Sequence, residues 1–379
     1  MYLDHAASSR IHPDALAAMG EWLAHGYGNP SGSHAVARRA KAAVEEAREV
    51  VAAFLGVEAG GVVFTSGGTE SDNLAVLGSL AARVGPPGAV VISAVEHPAV
   101  VEAARAAANS GHQVRVVDVG PDGLVDLDRL RANVDGDVAL VSVQTVNHET
   151  GVVQPLSDVA RRVRKWAPEA AIHTDAVQAA AWMDLASVTG SADLVSISGH
   201  KIGGPQGIGA LGIRHGVPVA PILHGGGQER ERRSGTPNVA AIVGLAAAAR
   251  IRTAAGAADA VAVGALRDLL TALLLADVPG AVATAVASPR APGHCHFRFP
   301  GVENESLLFL LDERGICASA GAACASGAIE PSPVLLAMGV DKAEALSSLR
   351  LTLGPTTTED EVRQAATEIA ACVAALRNA

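Results

Sequence analysis

The chain has 379 residues, of which 49% are hydrophobic and 18% are charged, and its formal net charge is −10. This composition excludes a disordered chain, and the mixed, net acidic charge is unlike the basic stripe of a nucleic-acid-binding protein. Because one hydrophobic core rarely serves more than about 300 residues, the length predicts two domains.

Strand-like and helix-like segments alternate from about residue 40 to residue 215, which predicts an α/β fold with a mostly parallel sheet covered by helices on both faces. Helices are predicted from about Ser71 and over Pro98–Ser110. Only a Gly-Pro-Gln-Gly turn separates the last two strands, which allows one strand to run antiparallel. The seven predicted strands are Gly61–Phe64, Ala89–Ser93, Gln113–Val119, Val138–Gln144, Ala171–Thr174, Leu194–Ser198 and Ile208–Arg214.

After Asn238, alanine-rich segments predict two long helices, Val239–Ala255 and about Asp259–Ala276, and a smaller α+β domain follows. We place the boundary near residue 253. The large domain would cover residues 12–253, and residues 1–11 and 254–379 would form the small domain. The strands predicted in the small domain are Ala281–Ala287, His294–Pro300, Ile316–Ser319 and Leu349–Leu353, and its helices are Ser306–Glu313 and Glu359–Leu376.

Lys201 follows the sixth predicted strand, in the sequence Ser198-Gly-His200-Lys201, and a glycine-rich turn comes next. Open parallel sheets bind ligands at the carboxyl ends of their strands. A lone lysine is usually a solvated surface charge, but burial in an apolar, glycine-rich segment would lower its pKa. The neutral amine that results is the form that makes a Schiff base with an aldehyde cofactor, and pyridoxal phosphate (PLP) is the obvious candidate.

Other strand ends would supply the remaining groups that PLP needs, although each also has an ordinary structural explanation. Thr65–Thr69 contains a Gly-Gly turn before a helix, which either binds phosphate or caps the helix. His97 would stack on the ring or serve as a structural histidine. Asn147 would contact the phenolic oxygen or form a turn. Asp175 would accept the pyridinium N–H, which makes the ring an electron sink, or cap the next helix. Together, these groups predict a PLP enzyme.

Cys324 and Arg350 are the notable residues of the predicted small domain. Cys324 lies in Ala318–Ala328, an uncharged run of small residues that we expect to be mobile, so its thiol is expected to be reactive. Arg350 lies in an otherwise apolar strand and needs an anionic partner. That partner is either a substrate carboxylate, gripped by two hydrogen bonds, or a carboxylate of the protein itself.

Neither the N-terminus nor the apolar segments indicate export or a membrane span. Asp4 and His5 stand where a signal peptide carries basic residues, and the apolar run Val239–Ala249 is too short to cross a bilayer. We therefore expect a soluble cytoplasmic protein. Its cysteines form no C-x-x-C pair, so we expect neither a metal site nor a disulfide framework. The cysteines other than Cys324 are expected to be structural: Cys295, Cys317 and Cys372.

The motifs resemble those of the cysteine desulfurases, a branch of the class V aminotransferase group with the fold-type I PLP architecture. The likeness covers nearly the whole chain and includes the cysteine segment. The other matching segments are Tyr2–Ala7, Tyr27–Ser31, Phe64–Asn73, Glu96–Val100, Ser198–Lys201, His224–Arg230, Arg233–Pro237 and Ser348–Gly354.

The resemblance implies a role for each cofactor residue. Lys201 would carry PLP, His97 would stack on its ring, and Asp175 would bind the pyridine nitrogen. Asn147 and Gln178 would contact the phenolic oxygen. The phosphate would be held within the subunit by Gly68, Thr69, Ser198 and His200. In the family a threonine of the other subunit completes this cup, which implies a homodimer and gives that role to Thr236.

The resemblance also implies the reaction. L-cysteine would be converted to L-alanine, with Arg350 and Asn147 binding the substrate and Cys324 attacking its sulfur. The persulfide left on Cys324 would pass to a protein acceptor, as in iron–sulfur cluster assembly. Three departures from the common pattern are His148 in place of a second asparagine, Ala322 in place of serine, and Ser8-Ser9 in place of Thr-Thr.

Many members of the family carry a longer tail after the last helix, and this tail docks an iron–sulfur scaffold. The given sequence stops soon after its last predicted helix, so the resemblance leaves the sulfur acceptor open. An acceptor in tRNA thiolation, DNA sulfur modification or a biosynthetic pathway is an alternative. Other enzymes on the same scaffold also stay open: a C–S lyase or selenocysteine lyase that does not need Cys324, or a class V aminotransferase or epimerase. A non-enzymatic sulfur-carrier docking protein is disfavoured by the complete Asp175 and Lys201 pair.

Overall fold

A seven-stranded sheet lies at the centre of the larger part of the chain in this computed structural model, which describes residues 1–321 and 330–378. Its strands are β1 (Val62–Thr65), β2 (Ala89–Ser93), β3 (Gln113–Val117), β4 (Val138–Ser142), β5 (Ala171–Asp175), β6 (Leu194–Ser198) and β7 (Gly209–Ile213). They lie in the order β1-β7-β6-β5-β4-β2-β3. Strands β2 to β6 pair in parallel, and β7 runs antiparallel to both of its neighbours.

The burial of the strands explains their composition. Every residue of β2, β4 and β6 is buried, which is why these strands are almost continuous runs of valine, isoleucine and leucine. The edge strand β3 instead contains exposed and half-buried positions. The predicted fold class is confirmed, and the strand that the short turn allowed to run antiparallel is β7.

The helices cover both faces of this sheet and one face of a smaller one. None of the helices in the described part of the chain is both long and apolar enough to cross a bilayer. Leu74–Gly78 is a π-helical segment between two short α-helices. The α-helices are α1 (Pro13–His25), α2 (Ala35–Leu55), α3 (Gly68–Asn73), α4 (Ser79–Ala82), α5 (Pro98–Ala108), α6 (Leu127–Asn133), α7 (Leu156–Trp166), α8 (Leu185–Val188), α9 (Val239–Asp277), α10 (Asn304–Glu313), α11 (Pro333–Ala337), α12 (Lys342–Ala345) and α13 (Glu359–Arg377).

The helix α9 is a single helix of 39 residues, so the prediction of two helices was wrong. Alanine favours the helix on both sides of Gly256, whose cost of about 1 kcal/mol does not interrupt it. The first half of α9 packs in the core around the large sheet, and the second half, including Leu270 and Leu274, packs in a separate core. The boundary placed near residue 253 falls inside this helix, and the division into domains stays a prediction.

A three-stranded antiparallel sheet forms the second core together with α10, α13 and the end of α9. Its strands are β8 (Val282–Ala283), β9 (His294–Arg298) and β10 (Ser348–Thr352). The predicted strand at Ala281–Ala287 is therefore only two residues long. Ile316–Ser319 is not a strand: its residues form single bridges, one of them between Ser319 and Arg350.

The N-terminal segment is extended and lies along β10. The backbone N–H of Leu3 donates to the carbonyl of Cys317 at 2.9 Å, and the N–H of Thr352 donates to the carbonyl of Leu3 at 2.7 Å. Farther along, the N–H of Ser9 donates to the carbonyl of His200 at 2.8 Å. The first nine residues thus connect the small sheet to the end of β6.

A buried ion pair fixes the segment that follows β7. The two carboxylate oxygens of Glu229 accept hydrogen bonds from Arg48 Nη1 at 2.7 Å and Nη2 at 2.9 Å, and each side chain is 5% exposed. The backbone N–H of Phe64 also donates to Glu229 at 2.9 Å. Glu229 adopts a left-handed backbone conformation with φ of 49°. Such strain persists where surrounding contacts hold it.

We expect Glu229→Gln to destabilise the protein by roughly 1.5–3 kcal/mol, because it leaves the buried Arg48 guanidinium with only the more exposed Glu45 as an opposing charge. Urea unfolding at neutral pH measures the difference. The matched control is Glu231→Gln, since Glu231 is exposed and also has positive φ, of 65°. The control should stay within about 0.5 kcal/mol of the parent chain. Equal stabilities for the two variants would contradict the role of the pair.

Candidate active site

Lys201, His97 and Asp175 meet at the carboxyl edge of the large sheet. Asp175 is the last residue of β5, His97 is the N-cap of α5, and Lys201 ends a 3₁₀ turn that follows β6. Electrostatic interactions link Asp175 to both His97 and Lys201. The parallel strands therefore bring together residues that are up to 104 positions apart, since they span 97 to 201.

The amine of Lys201 is held among backbone carbonyls and charged side chains. Its Nζ donates hydrogen bonds to the carbonyls of Ala6 and Ala7, the latter at 2.8 Å. Burial and the nearby Arg350 guanidinium together lower the pKa of Lys201 to about 8, against the opposing effects of Asp175 and Asp4. A substantial fraction of this amine is therefore neutral and nucleophilic near neutral pH.

A cavity of about 280 Å³ lies between the start of α3 and His200, the residue before Lys201, and has the lining of a phosphate site. Backbone N–H groups at the start of α3 are free to bind an anion. Glycine is required at Gly68, because a Cβ there would lie 2.9 Å from Cγ2 of Val177. Burial and the charge of Lys201 lower the pKa of His200 to about 4, so its ring is neutral. The lining residues are Ser66, Gly67, Gly68, Thr69, Glu70, Ser198, His200, Gln206 and Gly207.

His97 and Asp175 are held by backbone groups in orientations that suit a ring between them. His97 Nδ1 accepts from the N–H of Ala99 at 3.1 Å, and Asp175 Oδ1 accepts from the N–H of Val177 at 2.9 Å. His97 thus has its structural alternative as the N-cap of α5, whereas Asp175 holds the turn after β5 and does not cap the next helix. Burial lowers the pKa of His97 and raises the pKa of Asp175. The ring of His148 contacts His97 edge-on, with 5.1 Å between the ring centroids.

Asn147 and Gln178 are occupied by hydrogen bonds within the chain. Oδ1 of Asn147 accepts from the N–H groups of Glu149 at 3.0 Å and Thr150 at 2.8 Å, which is the turn alternative. Nε2 of Gln178 donates to the carbonyl of Ala6 at 2.9 Å. Asn147 follows β4 at the same edge of the sheet as Lys201. Gln178 and Lys201 both donate hydrogen bonds to the carbonyl of Ala6. Their contacts to a cofactor stay predictions.

Arg350 has the internal salt bridge that was one of its two alternatives. Its Nη2 donates to Asp4 Oδ1 at 2.7 Å, and its Nη1 donates to the carbonyl of His148 at 2.9 Å. Its Nε is buried and has no hydrogen-bond partner within residues 1–321 and 330–378. The guanidinium also acts electrostatically on Lys201. It is therefore fixed beside the lysine with one buried donor free for a further anion.

Thr236 and Cys324 are the two remaining predicted residues. Thr236 is exposed and does not line the cavity. Cys324 lies outside the described residues. On either side of it, Ser319 pairs with Arg350 through backbone hydrogen bonds, and Ser332 donates to the buried carboxylate of Glu149 at 2.5 Å. Cys317 is exposed, which differs from the structural role expected for it, whereas Cys295 and Cys372 are buried.

Sequence reasoning missed several buried polar residues around the site. Asp72 and Glu96 are 1% and 4% exposed, and His173 is completely buried. The only signal in the sequence was a polar residue inside, or directly beside, a predicted buried element. Such a signal is weak, because it does not reveal which other side chains share the same space.

We expect Glu96→Gln to retain roughly 1–3 kcal/mol of the stability that the parent chain loses between pH 5 and pH 8. Burial raises the pKa of Glu96 from 4.5 to about 8. The folded state thus binds its proton more tightly than the unfolded state, and this stabilisation is lost as the pH rises through that window. Urea unfolding at both pH values measures it. The control is Glu102→Gln on the exposed face of α5, and equal pH dependence in both variants would contradict the assignment.

The comparisons with known proteins agree with this geometry. The aminotransferase class-V family model matches residues 1–364. A cysteine desulfurase of Nostoc sp. is 40% identical over 362 residues, covering 96% of this chain and 90% of the relative. An IscS-like cysteine desulfurase of Mycobacterium tuberculosis is 41% identical over 385 residues, covering 100% of this chain and 97% of the relative. A solved NifS-like protein matches with a TM-score of 0.92 and 34% identity, covering 99% of both chains.

Proposed function

The chain belongs to the cysteine desulfurases of the class V aminotransferase family, and we propose that it converts L-cysteine to L-alanine with PLP attached at Lys201 and sulfur stored on Cys324. The observation that carries this proposal is the meeting of Lys201, Asp175 and His97 at one sheet edge, beside a cavity lined by the start of a helix. This set combines an amine, an anion and a stacking ring with a phosphate site.

The residues present fit PLP. When bound, PLP supplies an aldehyde that captures an amine and a ring that takes up negative charge. Asp175, which is 7% exposed, would hold the protonated ring nitrogen, and His97 would cover one ring face. Gly68, Thr69, Ser198 and His200 would hold the phosphate, and Asn147 and Gln178 would lie beside the phenolic oxygen.

Arg350 would bind the α-carboxylate of L-cysteine. Asp4 and the carbonyl of His148 each accept one hydrogen bond from the guanidinium, so its position is set before any substrate arrives. The Nε atom would give the substrate a charged donor, since no group in the described part of the chain accepts a hydrogen bond from it. The fixed distance between Arg350 and Lys201 would then orient the amino group of the substrate toward the lysine.

The chain would move protons and sulfur with two of its own groups. Lys201 Nζ, with a pKa lowered to about 8, would accept the Cα proton once the substrate amine has replaced it. The thiolate of Cys324 would attack the substrate sulfur, so that an S–S bond forms as the Cβ–S bond breaks. The products would be L-alanine and a persulfide on Cys324, which a protein acceptor would then consume.

The assembly and the cellular setting belong to the same proposal. Thr236 is exposed in the single chain, as expected for a residue that completes the phosphate site of a partner subunit in a homodimer. The acceptor would be a protein of iron–sulfur cluster assembly or of a thiolation pathway, in the cytoplasm, without nucleic acid or membrane bound directly. The second candidate function is a C–S lyase, which the hydrogen bond from Arg350 to Asp4 and the lysine site would serve equally well.

We expect protein-bound sulfur on Cys324 after treatment with L-cysteine. Mass spectrometry of the PLP-loaded protein should show one added sulfur, localised to the peptide that contains Cys324, together with L-alanine. The Cys324→Ser variant should lose both products and keep the absorbance of the bound cofactor.

The matched control is Cys317→Ser, which removes the exposed thiol among the described residues and should leave sulfur loading intact. Pyruvate and free sulfide from the Cys324→Ser variant would instead identify a C–S lyase. Added sulfur on Cys317 rather than on Cys324 would also overturn the nucleophile assignment.

We expect covalent capture of PLP by the cofactor-free protein to speed up as the pH rises from 6 to 9, with a midpoint near the lysine pKa of about 8. The reason is that only the neutral amine attacks an aldehyde. Borohydride reduction followed by peptide mass measurement gives the rate at Lys201. Lys201→Ala should lose this label, and Lys41→Ala, at an exposed lysine of α2, should retain it. A label that forms equally fast at pH 6 and pH 9 would contradict the lowered pKa.

A further inference from the structure

We propose that Asp72 is a protonated carboxylic acid at the end of a buried chain of polar groups, and that it is a positioning residue for the carboxylate of Asp175. The part of this inference that concerns the cofactor rests on the proposed function. The part that concerns the proton of Asp72 rests on the packing of the chain alone.

Asp72 lies in α3, close before the π-helical segment Leu74–Gly78, and is 1% exposed. One of its carboxylate oxygens, one ring nitrogen of His97 and one carboxylate oxygen of Asp175 all lie within 4.8 Å of one another. Among the described residues, Oδ1 of Asp72 has no hydrogen-bond partner. Two carboxyl groups thus share one desolvated space, and the sequence placed only Asp175 there.

A chain of hydrogen bonds crosses three neighbouring strands and ends on Asp72. Ser142 Oγ of β4 lies 2.8 Å from His173 Nδ1 of β5, and His173 Nε2 lies 3.0 Å from Ser196 Oγ of β6. The Ser196 hydroxyl lies beside the carboxyl group of Asp72, where it opposes part of the rise in the pKa of Asp72 that burial causes. The two serines and the histidine are completely buried. If each donor points toward Asp72, every polar group in this series of hydrogen bonds has a partner. One carboxyl oxygen of Asp72, Oδ1, then has none among the described residues.

The charges around Asp72 decide its protonation state. His173 Nε2 lies 3.5 Å from Asp72 Oδ1, but burial lowers the pKa of His173 to about 3, so the ring offers no positive charge. The other titratable groups that act on Asp72 are Asp175 and Glu96, and burial and both acids raise the pKa of Asp72. Lys201 and His97 act on Asp175 instead. Two buried carboxyl groups this close cannot both ionise unless each has a cation, and only Asp175 has one, so the proton belongs on Asp72.

A neutral Asp72 has a direct consequence for Asp175. It leaves one negative charge in the shared space, and that charge lies on the carboxylate that His97 and Lys201 stabilise. An ionised Asp72 would drive a proton onto Asp175 and so remove the anion that faces a protonated ring nitrogen. Ser196 lies beside the neutral acid and helps to hold it next to Asp175. Asp175 therefore has a neutral polar neighbour, which leaves its own negative charge and its position undisturbed.

Infrared difference spectroscopy of the cofactor-free protein tests the proton directly. Subtracting the spectrum of Asp72→Asn from that of the parent chain at pH 7 should leave the carbonyl stretch of one protonated carboxylic acid. The matched control is Asp118→Asn, at an exposed aspartate, which should leave no such band. An ionised-carboxylate band in the Asp72 difference spectrum would overturn the proposal.

The affinity for PLP and the pH titration of the visible absorbance of the bound cofactor test the positioning role. Asp72→Leu should weaken PLP binding about tenfold and shift the titration midpoint, because it removes the polar group that lies within 4.8 Å of the Asp175 carboxylate. Asp72→Asn keeps a neutral polar group of the same shape, so it should restore most of the affinity and of the midpoint.

An Asp72→Asn variant as impaired as Asp72→Leu would mean that a charge is needed there, and would overturn the proposal. Should Asp72→Leu fail to fold, the infrared band and the Asp72→Asn titration still decide the question. A parent chain that captures no PLP would refute the proposed function, whereas the infrared band would still report on Asp72.

Discussion

The burial of one lysine amine is the interaction on which the rest of the site depends. Lys201 is placed at the carboxyl edge of the sheet, where Arg350 disfavours its protonation and Asp175 favours it. Desolvation outweighs the carboxylate, so the amine is available in its neutral form. A lysine with the same neighbours on an open surface would stay protonated, because water would screen both effects.

The extended N-terminal segment joins the two charged residues of the site. Asp4 pairs with Arg350, and the carbonyls of Ala6 and Ala7 accept from Lys201, while the backbone of Leu3 is hydrogen-bonded to β10. The same few residues therefore set the position of the group that would bind the substrate carboxylate and of the group that would carry the cofactor. Because the segment is tied to the small sheet, a movement of that sheet would reach both groups.

Local sequence patterns were sufficient for the large sheet, since buried parallel strands are continuous apolar runs with short polar ends. The strands β2 and β6 have the predicted limits, and the others differ by one or two residues at an end. Patterns failed where neighbouring structure decides the outcome. Gly256 does not end α9, because packing in both cores supports the helix on either side of it, and Ile316–Ser319 pairs too briefly to form a strand.

The sequence by itself determined the fold class, the family, and the identity of the lysine, aspartate and histidine that lie at strand ends, because these follow from order along the chain. Tertiary structure alone decided that Arg350 pairs with Asp4, 346 residues away, that Asp72 shares buried space with Asp175, and that Cys317 is exposed. The physical reason is that burial and electrostatic pairing depend on distances through space, and periodicity within a segment carries no information about them.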